Sequence, residues 1–101
     1  MIQGTTPTHI FNLPFAASMV SSARVVYKQR DKEVLRKEND DFRIEGENSI
    51  SVDLTEEETF LFDCNHSVKL QLRVKTNAGK VLATKPIIVR VEECLDREVL
   101  I

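Results

Sequence analysis

The sequence predicts an all-β domain of about seven short antiparallel strands packed as a two-sheet sandwich. Three observations predict it. The run Val68-Lys69-Leu70-Gln71-Leu72-Arg73-Val74-Lys75 alternates apolar and polar residues without a break, which is the period of a strand with one face buried and one in water. Turn-forming clusters recur at Arg30-Asp31-Lys32-Glu33, Glu45-Gly46-Glu47-Asn48 and Thr76-Asn77-Ala78-Gly79, as they do between the short strands of sandwiches. The length of 101 residues, 42% hydrophobic and 30% charged, suits residues 1–101 to a single domain with one core of two packed layers.

The elements follow in order. Thr8 to Leu13 alternates, with Thr8, Ile10 and Asn12 on one side and His9, Phe11 and Leu13 on the other, until Pro14 stops the strand. Ala23 to Gln29 reads as a strand with Val25 and Tyr27 on one face and Val26 on the other. Val20, Ala23 and Tyr27 also stand at helical spacing, so a helix over residues 17–38 is the alternative. The β-branched Val25-Val26 pair and the charged turn that follows favour a hairpin, with Val34 and Leu35 beginning the return strand. Phe42-Arg43-Ile44 leads through a turn at 45–48 into Ile50, Val52 and Leu54, which alternate with Ser51 and Asp53, and the two strands pair antiparallel.

Thr55-Glu56-Glu57-Glu58 fits a capping box. It predicts one helical turn near 56–60, crossing between the sheets and closed by Phe60 and Phe62. After the turn at 76–79, in which Asn77 and Gly79 tolerate positive φ, a last strand runs from about Lys80 to Glu92. Val81 and Ala83 share one parity with Ile87, Val89 and Val91. Pro86 lacks a backbone N–H and places this strand at an edge or on a bulge. The whole is an antiparallel sandwich of immunoglobulin-like type, with a small barrel as the less favoured closure. The chain has no Trp, so it is not an antibody-like domain proper.

Charge and composition exclude several function classes. The net charge of −2 argues against a nucleic-acid binder driven by bulk charge. That total hides a polarity. Residues 24–37 carry six Lys/Arg against two acids, +4; residues 38–63 carry ten acids against Arg43 alone, −9; the chain after residue 63 carries seven bases against four acids, +3. Such opposed regions orient protein–protein docking. No basic-then-apolar leader opens the chain and no apolar run approaches the ~20 residues of a membrane span. Cys64 and Cys94 read as free thiols in a reducing compartment, with a single bridge as the alternative.

Chemistry-bearing patterns are sparse. Cys64, His66, His9 and Cys94 lack metal-ligand spacing, and no loop supplies the oxygens that calcium needs. Cys64 with His9 or His66 is a chance-level nucleophile pair, and no phosphate-binding glycine loop or nucleophile elbow occurs. We therefore expect no catalytic residues, metal or cofactor, and no enzyme. An outward Tyr27 beside Lys28 is the one platform for a sugar, which makes a glycan-binding module the alternative function. The tail over 94–101 ends in Val99, Leu100 and Ile101. With Tyr27, these three are the candidate partner contacts, unless the tail folds back on its own core.

The opening Ile2-Gln3-Gly4-Thr5-Thr6-Pro7-Thr8, then Phe11-Asn12-Leu13-Pro14-Phe15, resembles the start of small phage and prophage tail proteins. Leu54-Thr55-Glu56-Glu57-Glu58-Thr59, Phe62-Asp63-Cys64 and Leu70-Gln71-Leu72-Arg73-Val74 fit the same pattern. Together they are similar to the N-terminal domain of phage baseplate upper proteins, over nearly the whole chain. The resemblance implies an immunoglobulin-like sandwich that anchors to the baseplate, a structural role in virion assembly in the bacterial cytoplasm, and partners among other tail or baseplate proteins or copies of itself. From the charge and the apolar-run lengths above we expect no nucleic-acid or membrane partner, and a small-molecule ligand is not favoured. Receptor and host-sugar recognition belong to segments beyond this domain and do not carry over. No catalytic residue is transferred.

Overall fold

The uninterrupted alternation after residue 67 builds the strand on which the larger sheet is laid. In the computed structural model, which describes all of residues 1–101, eight strands form in chain order. They are β1 (Thr8–Asn12), β2 (Val20–Gln29), β3 (Lys32–Glu38), β4 (Phe42–Gly46), β5 (Ser49–Asp53), β6 (Val68–Thr76), β7 (Val81–Ala83) and β8 (Ile87–Val89). One short helix, α1 (Glu56–Phe60), lies between β5 and β6, and single 3-10 turns sit at Ala17–Met19 and Asn39–Asp41. The strands make two antiparallel sheets. One has the order β1-β5-β4; the other runs β3-β2-β6-β7, and β8 also pairs with β6. This is the all-β sandwich that the sequence predicts. Residues 17–38 take the hairpin rather than the helix.

Each turn follows its local chemistry. Arg30 and Asp31 alone make the β2–β3 turn, both at positive φ (53° and 63°), the two-residue geometry whose twist matches flanking strands. Lys32 and Glu33 already belong to β3. Gly79 turns the β6–β7 hairpin at φ 86°. At α1 the expected capping box is complete: the Glu58 N–H donates to Thr55 Oγ1 (3.2 Å) and the Thr55 N–H to Glu58 Oε1 (2.8 Å). The tip of the Phe60 ring then packs against Gly4. A Cβ at Gly4 would stand 2.6 Å from the ring, and its φ of 74° suits glycine as well.

The core lies between the sheets. Val25 and Tyr27 from β2, Val68, Leu70, Leu72 and Val74 from β6, and Ile50 and Val52 from β5 meet Leu54, Phe62 and Phe11. Full burial of a side chain such as Phe62 is worth about 1.5–3 kcal/mol. The inward face of β5 is as expected. Its outward face is not: Ser51, which the alternation places toward water, is fully buried. It sits mid-strand in the middle strand of the smaller sheet, between Ile10 and Arg43, and its hydroxyl donates to Glu45 Oε2 at 2.9 Å.

The last strand departs most from expectation. It is broken into β7 and β8 at Thr84-Lys85-Pro86, where the bulge expected at Pro86 falls. Arg73 faces Ala83, so unbroken pairing would set Val68 against Ile88, whereas Val68 faces Val89. One extra residue has entered the edge strand. Thr84 patches the gap: its N–H donates to the Leu72 carbonyl (2.9 Å), and its Oγ1 accepts the Leu72 N–H (3.1 Å). The slip changes parity. Val81 and Ala83 face out while Leu82 packs on the core; beyond the bulge Val89 and Val91 face in. The single parity expected from 81 to 91 is thus corrected.

Candidate functional site

Four candidate contact residues come from the sequence, and the structure separates them. Tyr27 is wholly enclosed, because it shares the inward face of β2 with Val25. Its ring lies 5.9 Å from that of Phe62 and 5.6 Å from that of His9, and a 2.7 Å hydrogen bond joins its hydroxyl to His9 Nδ1. Tyr27 is therefore corrected from a partner contact to a core residue, and the sugar platform that rested on it has no exposed ring. Burial, reinforced by the Glu58 carboxylate, drives the Tyr27 hydroxyl further from ionising. Burial, then the charged N-terminus, lowers His9 below its ordinary 6.5, so both rings are neutral at pH 7.

A second inward pair sits beside this one. Lys37 lies in register with Val25 on the inward face of β3, and its ammonium reaches Glu58 at 2.8 Å with both side chains largely shielded. Burial works to raise the Glu58 carboxyl. The Lys37 ammonium and the Thr55 N–H outweigh it and hold it below 4.5. Gln29 lies at the other end of this hairpin, beside the β2–β3 turn. Its amide donates to the carbonyls of Asp63 (2.7 Å) and His66 (2.8 Å) and accepts the Asp63 N–H (2.8 Å). No buried side-chain nitrogen or oxygen is left without a partner.

The outer face of the larger sheet follows another pattern. Across β3, β2, β6 and the edge, one row reads Glu38, Arg24, Arg73, Ala83, and another reads Glu33, Lys28, Lys69, Ile88. In each row an acid on β3 faces a cation on β2, and that cation stands directly opposite a second cation on β6. Arg24 is bonded to Glu38 at 3.1 Å, and Glu33 holds Arg36 at 2.7 Å. Lys69, Arg73 and Lys75 have no carboxylate within ion-pair distance. Arg73 and Lys75 border a groove of about 360 Å³ with Arg24, Glu38, Asn39 and Val81. The signal for these rows, cations at 69, 73 and 75 on the polar parity of the strand, was visible in the sequence; the register that sets cation against cation was not.

Apart from Glu38 on β3, the acids of residues 38–63 gather elsewhere, on β4, β5, α1 and the turns that flank them. On the outer face of the smaller sheet Asp53 is bonded by Thr8 and Arg43, and Arg43 also meets Glu45 at 3.4 Å. The Thr8 hydroxyl, then Arg43, lowers the Asp53 carboxyl.

Val99, Leu100 and Ile101 lie on a tail that folds back without burying itself. Arg97 bonds Gln3 Oε1 (2.9 Å) and caps the Phe60 ring (5.4 Å to its centroid), and the Leu100 N–H donates to Glu56 Oε2 (2.9 Å). Just before this tail, Ile2 bridges Glu92 in parallel. Yet Leu95, Val99, Leu100 and Ile101 are exposed, Leu95 at 95%. The backbone is held while its apolar side chains face water.

Cys64 and Cys94 are unbridged and half-buried, and Cys64 packs against the core. No three His, Cys, Asp or Glu side chains are grouped to hold a metal ion. No helix is long and apolar enough to cross a membrane. No family model, curated protein or solved structure matches the chain.

Proposed function

We propose that this chain is a non-enzymatic assembly module of a phage or prophage tail or baseplate, acting by contact with other proteins of that structure or with its own copies. The observation that carries the reading is the division of charge over the sandwich: a mainly cationic outer face on the larger sheet, and most acids of residues 38–63 on the smaller sheet, its turns and α1. Opposed charge fixes the orientation in which such a module meets a neighbour. The held tail with outward Leu95 and Leu100 adds an apolar contact of the kind buried at interface centres. The family likeness of the tail-protein motifs supplies the setting.

The test is mass spectrometry of tail particles purified from the phage or induced prophage that encodes the chain. The proposal expects the chain in intact particles at a fixed ratio to other tail proteins. Particles of full composition that lack it would sink the reading.

A further inference from the structure

The outer face of the larger sheet breaks a rule that its inner face keeps. Like charges directly opposite on neighbouring strands repel and destabilise the pair. This face has two such pairs, Arg24 against Arg73 and Lys28 against Lys69. A local rule broken twice in one pattern, on a sheet otherwise fully consistent with its fold, marks a functional surface. In the first row Glu38 is bonded to Arg24, which leaves Arg73 in excess; in the second Glu33 is held by Arg36, so Lys28 and Lys69 face each other with no ion pair to either. Lys69 and Arg73 share a face and lie four positions apart, about 13 Å along a strand. Between them Val26 stands opposite Gln71, without charge. Beside them along the edge, Val81 and Ile88 are exposed at 52% and 65%.

We infer that this face binds an extended acidic segment of a partner protein, whose carboxylates four residues apart meet the Arg73–Lys75 groove and Lys69. In an extended chain, residues i and i+4 point to the same side, so one segment presents both carboxylates at the spacing of the two cations. An arginine fork with a neighbouring ammonium suits a carboxylate in the groove. Apolar residues of the segment cover Val81 and Ile88. The overall charge of −2 disfavours a polyanion such as nucleic acid, which would meet the acidic remainder of the molecule. This inference deepens the assembly reading and rests on it.

The experiment measures binding of a fluorescent Thr/Val peptide with two Glu four positions apart, by anisotropy, to the full chain at low salt. Variants are Arg73→Glu and Lys69→Glu, and thermal melts are run in parallel. The inference expects saturable binding that weakens with salt. Each reversal lowers affinity about tenfold or more while the melting temperature stays level or rises, because each removes a like-charge pair. A contact that only served the fold would lose stability instead. The inference is overturned if the peptide fails to bind, if moving the two Glu to adjacent positions leaves affinity unchanged, or if a single-stranded oligonucleotide of equal charge binds as tightly. If the peptide fails while the chain is present in tail particles, the assembly reading survives and only this inference falls.

Discussion

The two faces of the larger sheet place charge by opposite rules. Inward, every polar group is matched: Lys37 with Glu58, Tyr27 with His9, Gln29 with three backbone groups of 63–66. Outward, cation faces cation in two rows, and three cations on β6 have no carboxylate. The same three strands supply both faces, so propensity and pairing are identical. The difference teaches where each demand acts. Between the sheets an unmatched group suffers the full desolvation penalty. In water a repulsive pair costs a fraction of that, and a surface can keep it for a partner.

The largest expected effect lies inward. Tyr27→Ala removes a fully buried ring and leaves His9 Nδ1 without its partner. It should cost about 3–5 kcal/mol in chemical unfolding. A loss below ~1 kcal/mol would mean that the ring is not the keystone between β2 and Phe62. Next comes Gln29→Ala, which removes the partner of the His66 carbonyl and the Asp63 N–H and leaves the Asp63 carbonyl only the long bond from the His66 N–H. We expect about 2–3 kcal/mol, together with faster hydrogen exchange over 63–66. An exchange pattern unchanged there would show that water replaces the amide.

Lys37→Met keeps the volume and removes the charge. The cost is about 1–2 kcal/mol at neutral pH, and it depends on acid in a defined sense. The Glu58 carboxyl is lowered in the fold, so as pH falls the unfolded chain takes up its proton first. The contribution is present above about 4.5 and is lost as pH drops through the lower folded value. Stability curves of parent and variant should therefore converge in acid. Parallel curves down to the acid limit would place the pair outside the stability of the fold.

Legibility in the sequence followed the same division. The buried faces of β5 and β6 were readable because period-2 alternation reports burial directly, whereas for β1 and β2 the alternation separated two faces without saying which is buried. The Thr55–Glu58 capping box was readable because it is local. Pro86 marked the bulge, but not the parity change, since the sense of an inserted residue depends on how Thr84 re-pairs with Leu72. Ser51 was misplaced because its cover comes from Glu45 and from lying in a middle strand, both tertiary facts. Tyr27 as a contact conflicted with its own inward parity beside Val25, and the structure enforces the parity. The cationic rows needed the register of β2 on β6, which no single strand carries. The tail showed its apolar residues plainly, but the arginine that pins it finds its partners at residues 3 and 60, far away in the chain.

The most direct test of the outward rule is a double-mutant cycle on Arg24 and Arg73, each changed to Gln, with stability measured by chemical unfolding at low and high salt. The coupling should be repulsive by about 0.2–1 kcal/mol at low salt and should shrink as salt rises. A coupling that is zero or favourable at low salt would show that the two arginines do not oppose one another, and the case for a surface kept charged for an acidic partner would fail with it.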